Sequence, residues 1–237
     1  MNKSKLDEIR VKESPWYQEL LSEHKDTITA MRKLKKTYGR FDKIFSLMVD
    51  VFEKEKPIFD HVPPAPKKKQ SKIKEDAALI ISDIHGDVPV LPQRVQGYEH
   101  FDFRAACHRG ERVVDTTISH LNDNMSNYSF ERLWVFILGD LQGGEIHNLK
   151  NHSEWKNSFK SSIMIGTLLA MMLDDLCKVV PQVCVVSLSG NHPRRSTKID
   201  WKAPQENFDY LTAMYARMQL REHIKSGRMT FLVPDAW

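Results

Sequence analysis

A layered α/β fold around a largely parallel sheet is predicted by three observations. From residue 77 onward, short apolar runs alternate with longer stretches of helical periodicity. The stretches between the runs are long enough for the crossover helices that parallel strands require. Three of the runs, 77–82, 133–138 and 183–188, end in a short polar motif, where open parallel sheets collect ligands.

Strand 77–82 leads into 87–103, whose polar and proline residues deny it a regular element. A helix is expected over roughly 104–123, with Ala105, Ala106, Val113, Val114, Ile118 and Leu121 as its apolar positions. Strand 133–138 follows. A helix over roughly 153–178, strand 183–188, a helix over roughly 205–226 and a short strand at 229–233 complete the series.

The front of the chain differs. Residues 1–60 carry Leu20, Leu21, Ile28, Met31 and Leu34, then Phe41, Ile44, Phe45, Met48, Val49 and Phe52, at helix-like spacing, with Gly39 marking a break. Lys33, Lys35, Lys36, Arg40 and Lys43 make this helical module basic. They suit contact with DNA or a docking partner, and equally a solvated face over a small packed core. Residues 61–76 read as a stiff linker: Pro63, Pro64 and Pro66 remove backbone donors, and the lysines after them repel one another.

At 237 residues the chain has room for one medium domain and an appendage. Hydrophobic content of 41% and charged content of 28% are those of an ordinary globular protein. A net charge of +4 and a pI near 8.8 permit a nucleic-acid partner without demanding one. Cys107, Cys177 and Cys184 form no Cys-x-x-Cys pair and no leader precedes them, which points to a reducing, cytoplasmic compartment. The longest apolar run, 163–173, falls short of the ~20 residues needed to span a bilayer, so no membrane partner is expected.

The motifs are Asp83-Ile84-His85-Gly86, Gly139-Asp140 and Gly190-Asn191-His192. Residues i and i+2 of an extended segment face the same way, so Asp83 and His85 are expected to grip one ion. Gly139 lets the chain turn after its strand, and the two oxygens of Asp140 suit a bridge between metals. Asn191 offers a neutral carbonyl oxygen. His192 can protonate a leaving oxygen near neutral pH. Each motif alone also reads as a capping or turn residue beside a bystander histidine; the ordered set of three favours a metal site. Arg194 and Arg195 suit paired hydrogen bonds to a substrate phosphate, or a solvated loop. His108, Arg109 and Arg112 read as ordinary surface charges.

This order of motifs resembles the calcineurin-like metallophosphoesterases over about residues 77–237. The run Gly139-Asp140-Leu141-Gln142-Gly143-Gly144-Glu145-Ile146-His147 is most similar to bacteriophage members, which would place the chain in a host cytoplasm. The resemblance implies an α-β-β-α sandwich, incomplete at its carboxyl end. It implies Asp83 and His85 on a first ion, Asp140 bridging, Asn191 on a second ion, and His192 as a catalytic group that does not ligate. Two divalent ions (Mn, Fe, Zn or Ni) ~3.5–4 Å apart would hold a hydroxide for in-line attack on a phosphate ester. DNA or a nucleotide is the expected substrate, making the chain a nuclease or nucleotide phosphodiesterase.

The pattern departs from the family after His192. A further strand-end His and a Gly-His-x-His motif are missing, and His223 lies within a predicted helix. The chain therefore reads as the amino-terminal part of a longer enzyme. A companion chain or a carboxyl-terminal segment would supply the remaining histidines, unless His147 or His152 substitutes. Alone, the chain is expected to hold one ion at best and to be feebly active. The alternative is a non-catalytic accessory subunit binding DNA or a replication partner, similar to the small subunits of replicative polymerases.

Overall fold

The computed structural model describes residues 57–66, 73–124, 127–146, 152–195 and 205–234. The chain divides into two compact units, Met1–Lys56 and Pro57–Trp237. The expected helical module lies outside the described residues, apart from its last positions, 57–60.

The second unit is mixed α/β. Strands β1 (Ile73–Ile81), β2 (Tyr128–Ile137), β3 (Gln182–Ser187) and β4 (Met229–Leu232) form one sheet in the order β1-β2-β3-β4, every neighbouring pair parallel. Helix α1 (Phe103–Asn124) joins β1 to β2, and α2 (Ser158–Cys177) joins β2 to β3. Helices α3 (Phe208–Gln219) and α4 (Arg221–Lys225) lead to β4. No described helix is long and apolar enough to cross a membrane.

The helices begin where side chains satisfy their orphan N–H groups. Asp102 accepts from Ala105 N at 2.8 Å, Asn157 from Lys160 N at 3.1 Å, and Asn207 from Asp209 N at 2.8 Å. The Asn157 cap is why α2 starts later than its periodicity suggested.

Alternate residues of the strands build the core. Leu133, Val135 and Ile137 of β2, Val183 and Val185 of β3, and Met229 and Phe231 of β4 are buried with Leu168, Leu169, Leu173 and Leu176 of α2. The opposite face is also apolar. Its register aligns Ile80, Phe136, Val186 and Leu232 in one row across all four strands. Ile80 is 65% exposed and Leu232 58%, so no described element covers the ends of this row.

Two strands begin earlier than apolarity alone suggested, β1 at Ile73 and β2 at Tyr128. Their polar first halves are joined by ion pairs: Lys74 to Glu131 at 3.4 Å and Arg132 to Asp76 at 2.9 Å. The linker expected over 61–76 is corrected at both described ends. Residues 73–76 are strand, and Pro63 O accepts from the Arg228 guanidinium, which also donates to Pro181 O at 2.8 Å and Val180 O at 3.0 Å. Just ahead of it, Ile58 N donates to Gln219 Oε1 at 2.8 Å, and Phe59 packs against the core.

Candidate metal centre

Three loops leave the carboxyl ends of β1, β2 and β3 side by side. The first is hydrogen-bonded along the second: Asp83 N to Gly139 O at 3.1 Å, His85 N to Asp140 O at 3.1 Å, and Gly86 N to Leu141 O at 2.9 Å. The backbone here is strained. Five described non-glycine residues have positive φ, and three of them are Asp83 (55°), His85 (41°) and Asp140 (52°). Such conformations persist only where surrounding contacts over-determine them, and they concentrate at functional sites.

The second and third loops meet backbone to backbone at their glycines. A Cβ on Gly139, whose φ is +88°, would stand 2.2 Å from Gly190 N; a Cβ on Gly190 would stand 2.2 Å from Asp140 N and Oδ1. Only glycine permits this approach. It lets His192 N donate to Asp140 Oδ1 at 2.8 Å.

The approach brings together His85, Asp140 and His192, whose ligating atoms all lie within 4.8 Å of one another. The two imidazoles meet edge to face, with centroids 4.9 Å apart. Asp140 is buried and the histidines are half-buried. Two imidazole nitrogens and one carboxylate oxygen are a donor set for Mn, Fe, Ni or Zn, and three protein donors leave coordination positions open.

This group differs from the expected ligand set. His192, expected to work only on substrate, stands in the group that could hold an ion. Asp83 does not: its carboxylate accepts from Ser82 Oγ, and the residue lines a separate cavity of about 260 Å³ beside Gly110 and Met172. The chain is not extended there; positive φ at both 83 and 85 breaks the alternation of faces that would aim both side chains at one ion. Asn191 is exposed, and its backbone carbonyl accepts from Arg194 Nε at 2.7 Å. Arg194 also pairs with Asn207 in a short antiparallel bridge. His152 is exposed, and His147 lies outside the described residues.

A cavity of about 390 Å³ opens beside His85 and His192, walled by Ile84, Val88, Val90 and Phe101. The irregular stretch after β1 builds this wall by folding back on itself, with Val90 and Phe101 exchanging hydrogen bonds of 2.9 and 3.0 Å. Arg109, set aside in the sequence as a surface charge, lines the cavity with its ion-pair partner Glu99, whereas Arg194 and Arg195 do not.

Three buried polar residues around the loops lie outside the three short motifs. Asp87 accepts from Gly143 N at 2.8 Å and Ser161 Oγ at 2.7 Å, tying the first loop to the second and to α2. Gln142 Nε2 donates to Ser162 Oγ at 2.8 Å and Thr212 Oγ1 at 3.1 Å. Asp209, in the first turn of α3 and 1% exposed, accepts from Leu141 N at 3.1 Å and Gly190 N at 2.9 Å. Burial pushes its carboxyl up to about 7; the backbone N–H groups of Gly190, Leu141 and Asp140 oppose this and the Asp140 charge adds to it. The one signal in the sequence was an asparagine at a helix start followed two residues later by an acid.

No protein-family model, no curated protein and no solved structure matches the chain, so the reading of this centre rests on its own residues.

Proposed function

We propose that the chain is the metal-binding part of a phosphoesterase. The observation that carries this is the convergence of His85, Asp140 and His192 at the ends of three adjacent parallel strands. His85, Asp140 and His192 would hold a divalent ion, which would supply Lewis acidity to a phosphoryl oxygen and lower the pKa of bound water. The chain's own residues do the rest. Asp140 offers one carboxylate oxygen while the other is held by His192 N. The apolar wall of Val88, Val90 and Phe101 takes the ester group and keeps water from one side of it. Arg109, on the same cavity, would reach a phosphate oxygen by exchanging its partner Glu99 for the substrate.

The open apolar sheet face supports the finer fold reading, an α-β-β-α sandwich whose second sheet would cover the row from Ile80 to Leu232. The three-donor group supports one ion in this chain; a second would need donors beyond those three, from a companion chain or further segment. DNA or a nucleotide remains the proposed substrate, in keeping with the positive net charge. The position of Asp83 outside the ligating group favours the second reading, a non-catalytic accessory subunit.

Manganese-dependent hydrolysis of bis-p-nitrophenyl phosphate tests the proposal. Activity that rises with Mn²⁺ and disappears in Asp140→Asn and His85→Ala supports the enzyme. Mn²⁺ binding without turnover, lost in the same variants, supports the metal centre and overturns catalysis by this chain alone, and absence of Mn²⁺ binding overturns the metal reading.

A further inference from the structure

The backbone of Gly190 is held at both its N–H and its C=O by the first turn of α3. Its N–H donates to Asp209 Oδ2 at 2.9 Å, and its C=O accepts from Asn207 Nδ2 at 2.7 Å. The other oxygen of Asp209 takes Leu141 N at 3.1 Å, the residue after Asp140. Phe208 N donates to Pro193 O at 3.0 Å, extending the seam past His192. Asn207 also caps α3 through Asp209 N, and both side chains are almost fully buried, at 3% and 1% exposed. One helix turn thus grips the second loop beside Asp140 and the third loop two residues before His192.

We propose that Asn207 and Asp209 are positioning residues: a buried clamp that sets the spacing of Asp140 and His192. The inference rests on the reading of His85, Asp140 and His192 as a metal centre for its functional meaning, though not for its structural one. A carboxylate is the group that fits. Both of its oxygens keep acceptor capacity, charged or protonated, for backbone N–H groups on different loops, while an amide in its place has one acceptor and turns an NH₂ toward an N–H. That mismatch pushes one loop away, and the donor geometry at Asp140 and His192 loosens with it. Groups that orient metal ligands from outside the coordination sphere commonly change affinity by 10–100-fold when replaced.

The test uses the full chain with Asp209→Asn and, in case that variant folds poorly, Asn207→Ser, which keeps a helix cap but gives up the Asn207 amide donor to Gly190 O. Asp174→Asn is the control; that acid is also buried, but it pairs with His223 Nε2 at 2.8 Å and Lys178 Nζ at 3.4 Å rather than with a loop backbone. Amide hydrogen exchange without metal is read at Leu141 and Gly190, Mn²⁺ affinity by calorimetry, and Tm by melting. The expected result is at least tenfold faster exchange at Leu141 or Gly190 in the clamp variants and Mn²⁺ binding weakened about 10–100-fold. Asp174→Asn lowers Tm and changes neither. Unchanged exchange at both amides in Asp209→Asn overturns the clamp, as does a loss of affinity that Asp174→Asn reproduces at equal Tm. Faster exchange in a chain whose wild type takes up no Mn²⁺ upholds the clamp as a loop-spacing device and overturns the metal reading alone.

Discussion

The carboxylate of Asp140 accepts the backbone N–H of His192 at 2.8 Å, so a proposed ligand on one loop fixes the start of another on the next. Charge and loop anchoring are therefore separable. Asp140→Asn keeps an acceptor for His192 N and removes the negative charge. It is expected to lower Mn²⁺ affinity by at least 100-fold while moving Tm by only a few degrees. Asp140→Ala removes both and should lower Tm further. Calorimetric titration and thermal melting of the two variants check the order.

Gly139→Ala is expected to cost roughly 3 kcal/mol or more, because its Cβ would meet Gly190 N in addition to forcing a side chain into positive φ. Gly97, with φ of +82°, has nothing within 4 Å of its would-be Cβ. Gly97→Ala should therefore cost only the backbone strain, roughly 1 kcal/mol. Urea unfolding of the pair separates steric clash from conformational strain, and equal losses would contradict the close approach of the two loops.

Asp209 makes the metal-free protein pH-sensitive in a defined direction. Its folded-state pKa is raised from 3.8 to about 7, so between these values the folded chain holds a proton that the unfolded chain has lost. The contribution to stability is largest below pH about 4 and declines as pH rises to about 7. Relative to Asp209→Asn, which does not titrate, the wild type should lose on the order of a few kcal/mol between pH 5 and pH 8. Urea unfolding of both proteins in EDTA at the two pH values measures this, and a pH-independent difference would refute it.

The three thiols should differ in reactivity. Cys177 is fully buried, and burial pushes its thiol up to about 12 against the opposing charge of Arg228. Cys184 is 4% exposed, while Cys107 on α1 is half-buried. In the native protein at pH 8, a disulfide reagent should modify Cys107 first and reach the other two only on unfolding. Peptide mapping after timed labelling identifies the order.

The alternation of strand and helix was legible because buried strands and amphipathic helices leave different periods in the sequence. Strand-end motifs pointed to His85, Asp140 and His192 because loops beyond the carboxyl ends of parallel strands lie side by side. Their division of labour was not legible. Whether Asp83 shares an ion with His85 depends on φ at two residues, and sequence spacing assumes an extended chain. Asn207 and Asp209 show in the sequence only as a helix cap, because they act on backbone N–H and C=O groups, which every residue carries and no motif displays. The same holds for Pro63, whose proline-rich context suggests a free linker while its carbonyl serves an arginine 165 positions later.

The proposed ligands are supplied by three chain segments that touch only after two helical crossovers have closed. No fragment holding one strand and its loop contains more than one of them. Cation uptake would then act as a gauge of completed folding, silent in partly assembled chains and switched on when the third strand docks. An ion present at 100 times its dissociation constant would in turn hold the finished sheet by about 2.7 kcal/mol, tying the lifetime of the whole unit to the metal supply around it.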